Sequence, residues 1–244
     1  MAEEAGAHGK RLLSIDALRG VAATGVVLCH SLRAGPPGTD SLLDRAMVLL
    51  FHYGFVGVYL FFIISGYCIH LRWATRNDSL PFLAFWKRRL RRLYPAYLVS
   101  IVLFLGVRWW LDKPNLAEPK SLDLGLHLLL AHNLWTPSRY TICGVYWTLA
   151  IEEQLYLAYF LLLWLRRRLN WTSILLVVFG VRVAWFALAW VVHRQFAIDI
   201  PVAESAAAAW ICWVPGALAV EARQGRVQLP TWMTRLSWGL VMLG

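Results

Sequence analysis

The segment Ile15-Asp-Ala-Leu-Arg19-Gly-Val-Ala-Ala-Thr-Gly-Val-Val-Leu-Cys-His30 lies within an apolar run, Ser14 to Leu32, and carries a cation and an imidazole eleven residues apart. About twenty apolar residues are enough to cross a bilayer as a helix. In that helix eleven residues turn about 1,100°, three turns plus roughly 20°, so Arg19 and His30 share one stripe about 16 Å apart and cannot touch. Burying the arginine alone costs roughly 3 kcal/mol, which makes such a pair a functional hypothesis by default. The bland alternative has Arg19 snorkelling to the interface or pairing with Asp16, and His30 standing beside water.

Composition extends this reading to the whole chain. Its 244 residues are 59% hydrophobic and only 16% charged, where about a quarter of a soluble chain is charged. The expected fold is an all-α, polytopic integral-membrane helical bundle embedded in a lipid bilayer. The 24 Lys and Arg against 14 Asp and Glu leave a net charge of +10, an excess that a membrane protein places in cytoplasmic loops rather than on nucleic acid. Cys29, Cys68, Cys143 and Cys212 are scattered without Cys-x-x-Cys or metal-ligand spacing, so neither a disulfide framework nor a metal site is expected. The polar start, Met1 to Arg11, leads into a run that contains Arg19 and lacks an Ala-x-Ala site, which reads as a retained first helix rather than a cleaved signal.

Further span-length segments run from Met47 to Leu71, Leu93 to Leu111, Tyr146 to Leu165, Thr172 to Val192 and Ser205 to Val220, and a seventh starts near Trp232 and stops at Gly244. About seven helices are therefore expected in one integral-membrane domain, 1-244, the pattern of a fragment or truncated form whose C-terminal helices are missing. Leu122 to Trp135 is too short to span and reads as a re-entrant or interfacial helix. Three basic clusters, between Arg72 and Arg92, at Arg166 to Arg168 and at Arg223 with Arg226, fall on one side only if that segment does not cross. The positive-inside rule then puts the N-terminus in the cytoplasm, and the expected location is the plasma membrane. Gly35-Pro36-Pro37-Gly38 marks a turn-rich loop.

Three more stretches carry chemistry. In Phe82 to Tyr97, Arg89 and Arg92 stand three apart on one helical face and Pro95 is expected to interrupt the helix just beyond them. A fork of guanidiniums suits phosphate, although a basic run flanked by aromatics is also an ordinary interfacial anchor. In Tyr146 to Leu157, Glu152 and Glu153 are adjacent within a span and point about 100° apart; a buried carboxyl there needs a cation or hydrogen bonds to stay charged. In Gly57 to Tyr67, Gly66 is expected to let helices approach closely, and Ser65 to hydrogen-bond a neighbouring helix or a ligand. His52, His70, His127, His132 and His193 stand near span ends, where solvated imidazoles are ordinary.

Together these elements resemble the membrane-bound acyltransferase 3 family. The matching pieces are Asp16-x-x-Arg19-Gly20 leading to His30, Leu60-Phe61-Phe62-x-x-Ser65-Gly66-Tyr67, Arg89-x-x-Arg92-Leu93-Tyr94-Pro95 and Trp147-Thr148-Leu149-x-x-Glu152-Glu153-Gln154-x-Tyr156-Leu157. Similarity continues more weakly through Trp213-Val214-Pro215-Gly216-Ala217. Thr148 stands where the family usually has Ser, and members generally have around ten spans. The resemblance implies transfer of an acyl group, commonly acetyl from acyl-CoA, to a hydroxyl of a carbohydrate or related small-molecule acceptor. It also implies functional roles for Arg19, His30, Arg89 and Arg92.

The charge-derived topology puts Arg19 and the Arg89/Arg92 pair toward the cytoplasm, and His30 and Glu152 in the outer halves of their helices. Arg19, Arg89 and Arg92 are accordingly expected on the CoA phosphates and His30 as general base. Glu152 would orient His30 or hold sugar hydroxyls; Ser65, Trp147 and Glu153 are expected along the acceptor. The rival readings are a carrier or flippase with a buried Arg-His-Glu pathway and a truncated, non-catalytic homologue.

Overall fold

The structure is a computed structural model that describes residues 13–33, 52–76, 81–112 and 121–229. Among these it is wholly helical, with seven α-helices: α1 (Leu13–Arg33), α2 (Val56–Arg76), α3 (Phe82–Asp112), α4 (Ser121–Leu128), α5 (Tyr146–Arg166), α6 (Trp171–Phe196) and α7 (Ala206–Arg223). Short 3-10 turns stand at His52–Phe55 and His132–Leu134. α1, α2, α3, α5 and α6 are long and apolar enough to cross a membrane. Large apolar residues such as Val102, Trp109, Leu176 and Trp190 are more than 60% exposed, which water would penalise and lipid accepts. The chain is a multi-pass membrane protein. Met1 to Arg11, the Gly35–Gly38 loop and the span expected from Trp232 lie outside the described residues.

The chain forms two compact units, 1–72 with 212–244, and 73–211. In the first, helices meet backbone to backbone through glycines. A Cβ on Gly54 would overlap the Gly25 carbonyl oxygen, and one on Gly66 the Trp213 carbonyl. Gly66 therefore does what its small size led us to expect. α1 buries only Ala22 and Cys29 within the described residues; their spacing of seven gives it one narrow packed stripe and leaves the rest open.

The second unit is built around α5, whose Ala150, Ile151, Leu155, Tyr159 and Leu162 are fully buried. α3 packs on it through aromatic edges. Phe85 meets Tyr156 and Phe160 at one level, and Tyr97 meets Tyr146 at another, so the two helices run antiparallel. Tyr97, Ile101, Leu130, Ile142, Tyr146 and Ala150 form the buried cluster at the second level. Asn170 caps α6 by accepting from the Ser173 N–H at 2.8 Å, which allows the tight α5–α6 turn.

Two expectations are corrected here. α3 runs unbroken through Pro95, starting eleven residues before the predicted span: the proline removes one donor, a loss that helices in membrane bundles tolerate. The histidines are not all solvated either, for His70, His127 and His132 are fully buried. As expected, 122–135 does not span: α4 has eight residues, about 12 Å of helix. Cys29 is buried and the other three cysteines are half-buried, with no disulfide among the described residues.

Candidate functional site

In the first unit the site residues stand on α1 and α2. Arg19 is about half exposed and pairs with Asp16 at 3.6 Å, the bland partner one turn back. It also donates to the Cys68 thiol at 3.5 Å, which brings it to α2 one turn from Ser65, itself buried. His30 is on the exposed side of α1, next to the buried Cys29. An imidazole on an open face of an apolar helix is accessible to whatever occupies that face.

At the end of this unit that carries Ser14 and Arg223, His70 Nε2 lies 3.0 Å from Glu221 Oε1 with both side chains buried. Arg223 donates to the Tyr67 hydroxyl at 2.7 Å. Tyr67 was visible in the sequence as part of the Ser65-Gly66-Tyr67 motif. The His70 and Glu221 partnership was not, because nothing local links positions 151 residues apart.

In the second unit two distant motifs converge. The Arg89 guanidinium sits over the Tyr156 ring at 4.6 Å and the Phe85 ring at 5.6 Å, and the Tyr156 hydroxyl donates to Glu152. Arg89, Tyr156 and Glu152 therefore form one chain. Tyr156 is near the middle of α5, so Arg89 is held level with the helix centre. This revises the two-pole expectation inside the unit, because Arg89 and Glu152 are one turn of α5 apart. Glu153 is buried, with Oε2 lacking a hydrogen-bond partner among the described residues, and within reach of the Arg89 charge. Arg92 is exposed, so the expected fork is unequal: one guanidinium stacked inward and one open. Trp147 is half-buried in the first turn of α5, where the Thr148 hydroxyl donates to the Val145 carbonyl at 2.8 Å.

Past the N-terminal end of α5, a polar cap is built from 121–141 and 197–205. Gln154 and Asn133 exchange amide hydrogen bonds at 2.7 and 3.2 Å, which gives the motif glutamine an anchoring role. Arg139 and Glu204 pair at 2.6 Å, and burial with the hydrogen bond from its own hydroxyl to Glu204 pushes Tyr140 up to about 12. Inside the cap His127 and His132 stack at 4.0 Å, nearly parallel. Asp123 accepts from the Ser138 hydroxyl and stands 3.3 Å from His127 Nδ1. Burial, then the neighbouring His127, push His132 down to about 4, with the Tyr146 backbone and Asp123 acting the other way. No group of three or more potential metal ligands occurs among the described residues.

A profile of the family described as an acyltransferase domain, the acyltransferase 3 family, matches residues 12–242. The chain is similar to the acyltransferase MdmB of Streptomyces mycarofaciens, 28% identical over 217 residues that cover 84% of this chain and 53% of that protein. It is similar to the O-acetyltransferase OatA of Staphylococcus aureus, 32% identical over 181 residues covering 64% and 30%. It is also similar to the peptidoglycan O-acetyltransferase OatA of Listeria monocytogenes, 31% identical over 188 residues covering 70% and 28%. The chain thus spans about half the length of the first relative and less than a third of the other two. No solved structure matches significantly.

Proposed function

Because the chain belongs to the acyltransferase 3 family, we propose that it moves an acyl group, acetyl in the first instance, from acyl-CoA to a hydroxyl of a carbohydrate or related acceptor. Two of the relatives are named O-acetyltransferases and one of these is named for peptidoglycan, which favours acetyl and a cell-envelope glycan. The basic clusters of the sequence favour an N-terminus in the cytoplasm, and a cell-envelope acceptor favours the plasma membrane.

The observation that carries this reading is the convergence of the Arg89-x-x-Arg92 motif with the Glu152-Glu153-Gln154-x-Tyr156 motif at one level of the second unit. In the proposed reaction neutral His30 takes the proton of the acceptor hydroxyl as its oxygen attacks the thioester carbonyl. The tetrahedral intermediate collapses to the ester, and the CoA thiolate leaves and is reprotonated by the imidazolium. General-base help of this kind is worth roughly 10² to 10⁴ in rate. Arg19, Arg89 and Arg92 supply positive charge for CoA phosphates. Ser65, Trp147, Glu152 and Glu153 hold the acceptor.

The test is transfer from radiolabelled acetyl-CoA in membranes carrying the full chain, with acceptor-dependent CoA release read alongside. His30→Ala is expected to lose at least about a hundredfold in turnover at equal expression. Tyr156→Phe keeps the ring under Arg89 and removes the hydroxyl held by Glu152, so about tenfold is expected. Wild-type turnover in His30→Ala removes the base assignment. Acetyl-CoA that binds without any acceptor-dependent CoA release would favour a carrier instead.

A further inference from the structure

The first unit contains an apolar groove of about 200 Å³. Its walls are Ile15 and Leu18 of α1 and Leu60 and Ile63 of α2, and Gly216 and Ala219 of α7 form its floor. Leu18 and Ile63 are 47% and 38% exposed, so it opens on one side. From Leu60 to Tyr67 it extends two helical turns, about 10 Å.

One end of the groove is polar. Arg223 lines it, held in place by its 2.7 Å hydrogen bond to the Tyr67 hydroxyl, with Ser14 beside it. No carboxylate pairs with Arg223 among the described residues. Glu221, two residues earlier, is bound to His70 inside the unit. An arginine merely snorkelling to water would need no tether and would not end an apolar slot. A hydrocarbon channel that terminates at a cation with no carboxylate on it among the described residues has the complement of an anionic amphiphile: a tail for the slot and a phosphate for the guanidinium.

We propose that this groove binds an anionic phospholipid of the surrounding bilayer, with one acyl chain between α1 and α2 and the phosphate on Arg223. The site is distinct from the one proposed for acyl transfer, since it uses neither Arg19 nor His30, although Leu60 and Tyr67 belong to the motif that also carries Ser65.

The full chain in neutral detergent is incubated with equal phosphatidylglycerol and phosphatidylcholine, and bound lipid is counted by native mass spectrometry. The wild type is expected to favour phosphatidylglycerol about fivefold, the preference that about 1 kcal/mol per interfacial basic residue gives. Arg223→Ala should lose that preference, Leu60→Trp should bind less of both lipids, and Arg167→Ala, the same charge loss in the other unit, should match the wild type. Glycerol phosphate, a head without tails, should not compete. An unchanged preference in Arg223→Ala, unchanged binding in Leu60→Trp, or effective competition by glycerol phosphate overturns the proposal. Phosphatidylglycerol with a photoreactive acyl chain tests it on the wild type alone: crosslinks should fall on α1, α2 and α7, and crosslinks confined to other helices overturn it.

Discussion

Acid should loosen the cap of the second unit through His132. The ring is fully buried against His127, and burial lowers its folded pKa from 6.5 to about 4. The unfolded chain therefore binds more protons than the folded one between these values, so stability from this group is fully present above 6.5 and is lost as pH falls toward 4. From pH 7 to pH 5 the loss comes to about 2 kcal/mol, or roughly twentyfold in the opening equilibrium. The groups facing His132 are His127, Asp123 and the Tyr146 backbone. His132→Phe keeps a stacking ring, removes the titration and sacrifices no well-formed hydrogen bond among the described residues. Hydrogen–deuterium exchange over residues 126–146, corrected for intrinsic rates, should show protection falling about twentyfold from pH 7 to 5 in the wild type and by only a few-fold in His132→Phe. Equal pH dependence in the two proteins would refute the reasoning.

Two further outcomes concern the first unit. Gly216→Ala places a Cβ on the Ile63 carbonyl oxygen and Gly66→Ala one on the Trp213 carbonyl; each should cost about 1 to 3 kcal/mol of overpacking, read as a lower thermal midpoint in detergent. Glu221→Leu leaves His70 buried without its carboxylate and should cost about 3 kcal/mol, whereas the double variant with His70→Leu should recover most of it. Equal midpoints for single and double variants would show that the pair is not the source.

The sequence made the spans legible because an apolar run of membrane length has few alternatives, and the Gly66 contact was legible because small residues in such runs mark close helices. Pairings across the fold were not. Arg182 stands in the open within the Thr172 to Val192 run, yet its partner, the Ala208 carbonyl at 2.7 Å, lies beyond the next loop. The solvated reading of His127 and His132 used their place near span ends. Burial came instead from the cap folding back on itself, with Tyr97 donating to the His127 carbonyl and Gln154 to the Leu130 carbonyl. Pro95 misled because the rule that proline ends a helix is calibrated on water-exposed backbone.

The depth of Arg89 changes what that residue has to be for. A guanidinium at an interface needs no explanation, but Arg89 is half-buried and turned in over Tyr156 while Arg88 and Arg92 beside it are exposed, so it gives up part of its hydration. Its contacts with Tyr156 and Phe85 return about 1 to 2 kcal/mol as cation–π attraction. The Glu153 carboxylate, within reach of its charge, supplies a further part. Glu152 is already engaged by Tyr156, and Glu153 is buried with one oxygen lacking a donor. A cation stacked on rings beside a carboxylate short of a hydrogen bond is the polarity that the hydroxyl-bearing substrate of the proposed reaction would complete, and packing alone supplies no reason for both to sit together.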